Sequence, residues 1–155
     1  MSFLRALMLL ALIVWIGGII FFAFVMAPTL FIVLPNAQLA GNVVSAALTK
    51  LHWMGLVSGA VFLLASVAYG WRKHLQFRLV TASHVFVVLM LVLTAVSQFA
   101  VTPRMRELRA ERADTPAAVA EFNRLHEWST RCEAGVLLFG LVLVVLTAGR
   151  LGERG

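Results

Sequence analysis

FNRLHEWSTRCEAGVLLFGLVLVVLTAG, residues 122–149, starts with charged and polar residues and ends as an almost wholly apolar run. A helix needs about 20 apolar residues to cross a hydrocarbon core about 30 Å thick. The apolar part covers only about residues 134–149, so its membrane segment borrows a turn from the polar stretch and spans about 131–149. Three further runs of this kind precede it, at about residues 6–27, 51–70 and 79–101. The expected fold is all-α: a single-domain integral membrane protein, an antiparallel four-helix bundle.

The bulk composition agrees. Of the 155 residues, 61% are hydrophobic and 13% charged, against roughly 45–50% and about 25% in soluble domains. The mean hydropathy is +0.94. The formal charge is +6, but the basic residues sit in the gaps between apolar runs. There they suit headgroups and topology, so the lipid bilayer is the expected partner and nucleic acid is not. The first apolar run continues past any early small-residue cleavage site, so it reads as a membrane helix and not a signal peptide. The single Cys132 excludes an internal disulfide.

The connections place two helices outside the membrane. In the segment 28–50, Pro28 and Pro35 interrupt the chain, and Asn36 is a candidate N-cap for a helix starting near Ala37. PRMRELRAERADTP, from Pro103, predicts a short charged helix, with Asp114 and Thr115 preceding a new start at Pro116. Extramembrane helical segments are therefore expected at about 37–50 and 103–130, so that helices 2 and 4 extend beyond the bilayer. Arg5, Arg72, Lys73, Arg78, Arg150 and Arg154 share the side of the termini, while the other side mixes seven basic residues with six acidic ones. The compact basic clusters favour cytoplasmic termini in a bacterial inner (plasma) membrane.

Each helix carries a stripe of small and polar residues at spacings of three and four. Helix 4 gives Phe122, His126, Ser129, Glu133, Val136 and Gly140, with Cys132 one position off as a passive small residue. Helix 2 gives Gly41, Ser45, His52, Gly55, Gly59, Phe62 and Ser66; helix 3 gives His84, Val88, Leu91, Ala95, Gln98 and Thr102. In helix 1, Trp15, Gly17, Gly18, Phe21 and Phe22 are the inward candidates, the Gly pair allowing close packing. Trp53, Trp71 and Trp128 lie near span ends as interfacial anchors, and His74 sits among basic residues.

Depth gathers His52, Gln98, His126, Ser129 and Glu133 near the membrane face opposite the termini. Two readings stand side by side. These residues form a ligand site, with His52 and His126 as ligands of a transition metal or of a haem b iron; or they hydrogen-bond to each other and set helix register. His84 reads as a satisfied buried residue near the other face. Ser129 lies one turn from His126, which is weak evidence for a hydrolase, and no phosphate loop or paired catalytic carboxylates stand out.

WIGGIIFFAFVMAPTLF (Trp15–Phe31), Ala40–Gly41, TPRMR after the third run and FNRLHEWS before the fourth resemble the transmembrane protein 205-like family, also called domain of unknown function 4149. Trp15, Gly17, Gly18, Ala27, Pro28, Leu30, Phe31, Pro103, Leu125, His126 and Ser129 match its pattern; Glu133 stands where the family carries Asn. The resemblance implies a four-span membrane protein and, in eukaryotic members, involvement in metal-drug tolerance and secretion. A slighter likeness, in the W-x-G-G helix and scattered His, is to copper-resistance D-type proteins and the haem-binding protoporphyrinogen oxidase family. The expected function is a small membrane protein, not a classical enzyme, binding a metal or small ligand in the polar cluster. The alternatives are a haem b-binding oxidoreductase and an accessory subunit of a larger complex, with a homo-oligomer as a further expected state.

Overall fold

A computed structural model of the chain describes residues 2–73, 77–110 and 115–152; His74, Glu111, Arg112 and Asp114 lie outside the described residues. All described elements are helical. In chain order they are α1 (Ser2–Phe21), a π-helical turn (Phe22–Met26), α2 (Ala27–Val33), α3 (Ala37–Lys73), α4 (Phe77–Val96), a second π-helical turn (Ser97–Val101), α5 (Thr102–Ala110) and α6 (Pro116–Gly152). Joined through their π turns, these elements form four helices long and apolar enough to cross a membrane: Phe3–Val33, Ala37–Trp71, Ser83–Ala110 and Pro116–Thr147.

The caps explain where α3 and α6 begin. The Leu39 N–H donates to Asn36 Oδ1 at 2.8 Å, and the Ala118 N–H donates to Thr115 Oγ1 at 3.3 Å. Each side-chain oxygen satisfies one of the orphan donors of a helix start. Pro116 follows Thr115 as the first residue of α6, where its missing N–H costs nothing.

Pro28 was expected to interrupt the first helix, and it does not. Proline cannot donate to the carbonyl four residues back, and its ring crowds that carbonyl. Here the backbone widens by one residue per turn just before it: the Ala27 N–H donates to Phe22 O across the π turn, and α2 continues. The Thr29 hydroxyl also donates to Val25 O at 2.6 Å. The second π turn has the same offset from Pro103, with the Thr102 N–H donating to Ser97 O. In both cases five π residues and one further residue precede the proline.

α1 packs on α3 and on α6, α3 on α4, and α4 on α6. The shared core holds Leu12, Trp15, Ile16 and Ile19 of α1, Phe62 of α3, Val87 and Met90 of α4, and Val136 and Leu143 of α6. The outer surface is apolar as well: Ile13, Phe24, Ile32, Leu64 and Val145 are all at least 65% exposed. That is the pattern of helices solvated by hydrocarbon and not by water.

The expected stripe on the third helix is displaced, and that on α6 is buried in part, at Ser129, Val136 and Gly140. On the third helix Ser83, Val87, Met90, Thr94, Ser97 and Val101 are buried, one residue behind the expected set; of that set Thr102 is buried, whereas Val88 is 47% exposed. On α6 the buried positions are Ser129, Cys132, Val136, Gly140 and Leu143, while His126 is exposed. Polarity marked the wrong line because His84 and Gln98 reach their partners from the edge of the buried face. The α3 stripe of His52, Gly55, Gly59, Phe62 and Ser66 is buried as expected. Of the Gly pair, Gly18 closes on Met54, whereas Gly17 is exposed with open space beside it.

Candidate functional site

One end of the fold carries a half-open cavity of about 1050 Å³ between α1, α2, α3, α5 and α6. Both π turns border it: Phe22 and Ala23 belong to the first, and Thr102 directly follows the second. Short π segments commonly accompany functional sites, because the extra residue re-aims side chains that an α-helix would hold in phase.

His52 lies beneath this cavity and is 1% exposed. Its Nδ1–H donates to Gln98 Oε1 at 2.9 Å. Its Nε2 is 2.6 Å from Glu133 Oε1. Both ring nitrogens of His52 are thus engaged, one by an amide oxygen and one by a carboxyl oxygen. Three helices are tied at this point. Glu133 also lines the cavity, with its side chain 18% exposed, so it alone of the three faces both the buried ring and the open space.

The roof is α5, strapped by three arginines. Arg104 forms a two-pronged pair with Glu121 of α6, at 2.8 and 3.2 Å, and also reaches Glu107. Arg106 donates to Ser45 O at 3.3 Å and to the Thr49 hydroxyl, both on α3. Arg109 turns inward. Its Nη1–H donates to Gly41 O at 2.7 Å, and its guanidinium lies 5.2 Å from the Phe122 ring centroid. A Cβ at Gly41 would stand 3.2 Å from Arg109 Nη2; glycine here allows the close approach.

The walls between roof and floor are mainly apolar, including Ile19, Phe31, Val44, Leu48 and Met105. Ala23, Pro28 and Phe31 on one side, and His126 and Thr130 on the other, are exposed lining residues. They mark a mouth between α2 and α6.

The structure thus brings together His52, Gln98 and Glu133, and places Ser129 in the cavity wall, 6% exposed. His126 does not join them. It lies at the mouth with its ring parallel to Phe122, centroids 6.5 Å apart. The metal or haem ligation expected of His52 and His126 finds no support in this geometry. Both ring nitrogens of His52 are engaged, and among the described residues no group of three His, Cys, Asp or Glu is placed to hold a metal ion. At the opposite end, Ser66 and His84 Nε2 are 2.8 Å apart, and Arg5 donates twice to the Tyr69 hydroxyl. Arg109 was missed as a site residue. Its signal is the spacing Thr102, Met105, Arg109, three then four residues apart, which sets all three on the cavity face of α5.

The sequence profile of the family described as domain of unknown function (DUF4149) matches residues 10–114, and the chain belongs to that family. The match covers α1 from residue 10 through α5 and stops before α6, where Ser129 and Glu133 lie. Comparison with curated proteins and with solved structures returns no match.

Proposed function

We propose that this family member is a four-span bacterial inner-membrane protein of the transmembrane protein 205-like type that binds a small ligand in the cavity and catalyses no reaction. In this reading the helices form an antiparallel bundle with both termini in the cytoplasm. α3 and α6 have 37 residues each. At 1.5 Å per residue that is roughly 55 Å, nearly twice a hydrocarbon core, so both extend beyond the bilayer at the cavity end.

The observation that carries the proposal is the cavity itself. At about 1050 Å³ it stands at the upper end of ligand sites, about 300–1,000 Å³, and shares their make-up: apolar walls with a few convergent polar groups. Arg109, Ser129 and Glu133 are those groups. Nothing among them forms a nucleophile and base within reach of each other, which favours binding over chemistry.

The test is native mass spectrometry of the full chain purified from membranes in a mild detergent. A retained small molecule is expected, released by organic extraction, and absent from a Val44→Trp variant that fills the cavity. Wild-type protein that carries no adduct and gains none when incubated with membrane extract would refute the proposal.

A further inference from the structure

We infer that the ligand is an amphiphile with an anionic head group, a phosphate or a carboxylate, seated on Arg109 with its hydrocarbon tail along Ile19, Phe22, Val44 and Leu48. This rests on the ligand-binding reading above.

Charge is the first support. The three arginines of α5 have different employments. Arg104 is matched by Glu121 and Glu107. Arg106 is spent on the Ser45 carbonyl and the Thr49 hydroxyl. Arg109 faces the cavity, and among the described residues no carboxylate pairs with it. Of the five N–H donors of a guanidinium, the Gly41 carbonyl takes one. The guanidinium carbon lies over the Phe122 ring, 5.2 Å from its centroid, which holds the group in place. A guanidinium held in this way is suited to bidentate binding of phosphate or carboxylate.

Length is the second. Arg109 contacts Gly41 of α3 and Phe122 of α6. The carboxyl of Glu133 and its partner His52 sit on the same two helices. Gly41 to His52 and Phe122 to Glu133 are each eleven residues, roughly 16 Å of helix. The cation and the carboxyl therefore stand at opposite ends of the space, and Glu133 is held at its own end by His52. An anion on Arg109 is clear of that carboxyl, and the interval between them is lined by Ile19, Phe22, Val44 and Leu48 on one side and by His126, Ser129 and Thr130 of α6 on the other.

The mouth is the third. It opens between α2 and α6 beside Pro28, Phe31, which is 53% exposed, and His126. In the four-span reading they stand just past the ends of their spans, at the membrane interface. An amphiphile concentrated at that interface meets the mouth with head and tail together.

The experiment compares three probes on the detergent-purified full chain: hexadecyl phosphate, hexadecanol and inorganic phosphate. Hexadecyl phosphate is expected to bind about ten-fold or more tightly than hexadecanol, the scale of one charge-assisted hydrogen bond, and inorganic phosphate far more weakly than either. Arg109→Gln should erase the difference between the two amphiphiles; Arg109→Lys should keep part of it. Wild-type-like circular dichroism and elution volume show that each variant is folded. Equal affinity of the wild type for hexadecyl phosphate and hexadecanol overturns the anionic head and leaves the ligand site standing. Inorganic phosphate binding as tightly as hexadecyl phosphate overturns the tail and assigns a water-soluble anion. Failure of all three probes, with Val44→Trp no different from wild type, overturns both this inference and the site itself.

Discussion

His52 Nε2 and Glu133 Oε1 are 2.6 Å apart although 81 positions separate them in the chain. The ring is fully enclosed, and its other nitrogen holds Gln98. This one imidazole joins α3, the π turn after α4, and α6.

Removing it should therefore loosen three helices at once. His52→Ala leaves the Glu133 and Gln98 side chains without their partner and opens a void. Unfolding in detergent should lose on the order of 2 kcal/mol, reduced from a fully buried pair because Glu133 is partly open to the cavity. Glu133→Gln keeps a hydrogen-bonding group in place and should cost less. Equal melting temperatures for wild type and His52→Ala would show that the triad contributes nothing to stability.

Gly17 of α1 and Gly55 of α3 should behave oppositely. A Cβ on Gly55 would press into the Trp15 indole, 2.9 Å from Cε2, and one on Gly59 would lie 2.7 Å from Trp15 Cζ3. Trp15 is 2% exposed and has no room to retreat, so Gly55→Leu should destabilise by about 1–3 kcal/mol or prevent folding. Gly17 has open space around it. Gly17→Ala should be neutral or stabilising, by up to about 1 kcal/mol. Thermal melts of the two variants side by side decide it.

The α5 strap should govern local opening more than global stability. Arg104 and Glu121 are 45% and 31% exposed, and exposed pairs contribute about 0–1 kcal/mol. Arg104→Ala should leave the melting temperature nearly unchanged and speed amide hydrogen exchange in α5, which loses its tie to α6. Exchange confined to other elements would show that Arg106 and Arg109 suffice to hold the roof.

Ligand should raise stability by mass action. With hexadecyl phosphate at a hundred times its dissociation constant, unfolding should become harder by about 2.7 kcal/mol. The shift should vanish in Val44→Trp and fall in Arg109→Gln. A rise of the same size in Val44→Trp would mean that the amphiphile acts through the surrounding detergent and not through the cavity.

Composition and run length were enough to read four helices long and apolar enough to cross a membrane, because burying the backbone in hydrocarbon leaves few solutions besides the helix. The starts of α3 and α6 were equally legible, since Asn36 and Thr115 act on their own helix within three residues. The three-and-four spacing also put His52, Gln98 and Glu133 at a common depth. These are local properties, and local sequence expresses them.

Phase and partners were decided only by the fold. The helix runs through Pro28 because a π turn absorbs the missing hydrogen bond, and the third helix buries Val87 and Met90, not Val88 and Leu91, because packing selects the face. His126 and His52 look equivalent along the chain, yet one lies at a cavity mouth and the other is sealed between Gln98 and Glu133. Arg109 looks like its neighbours in RMRELRA, and only the approach of Gly41 and Phe122 turns it inward. The physical reason is one of range. Hydrophobicity and capping act over a few residues of one helix, whereas the partner of a buried polar group is whatever the packing of another helix delivers to it.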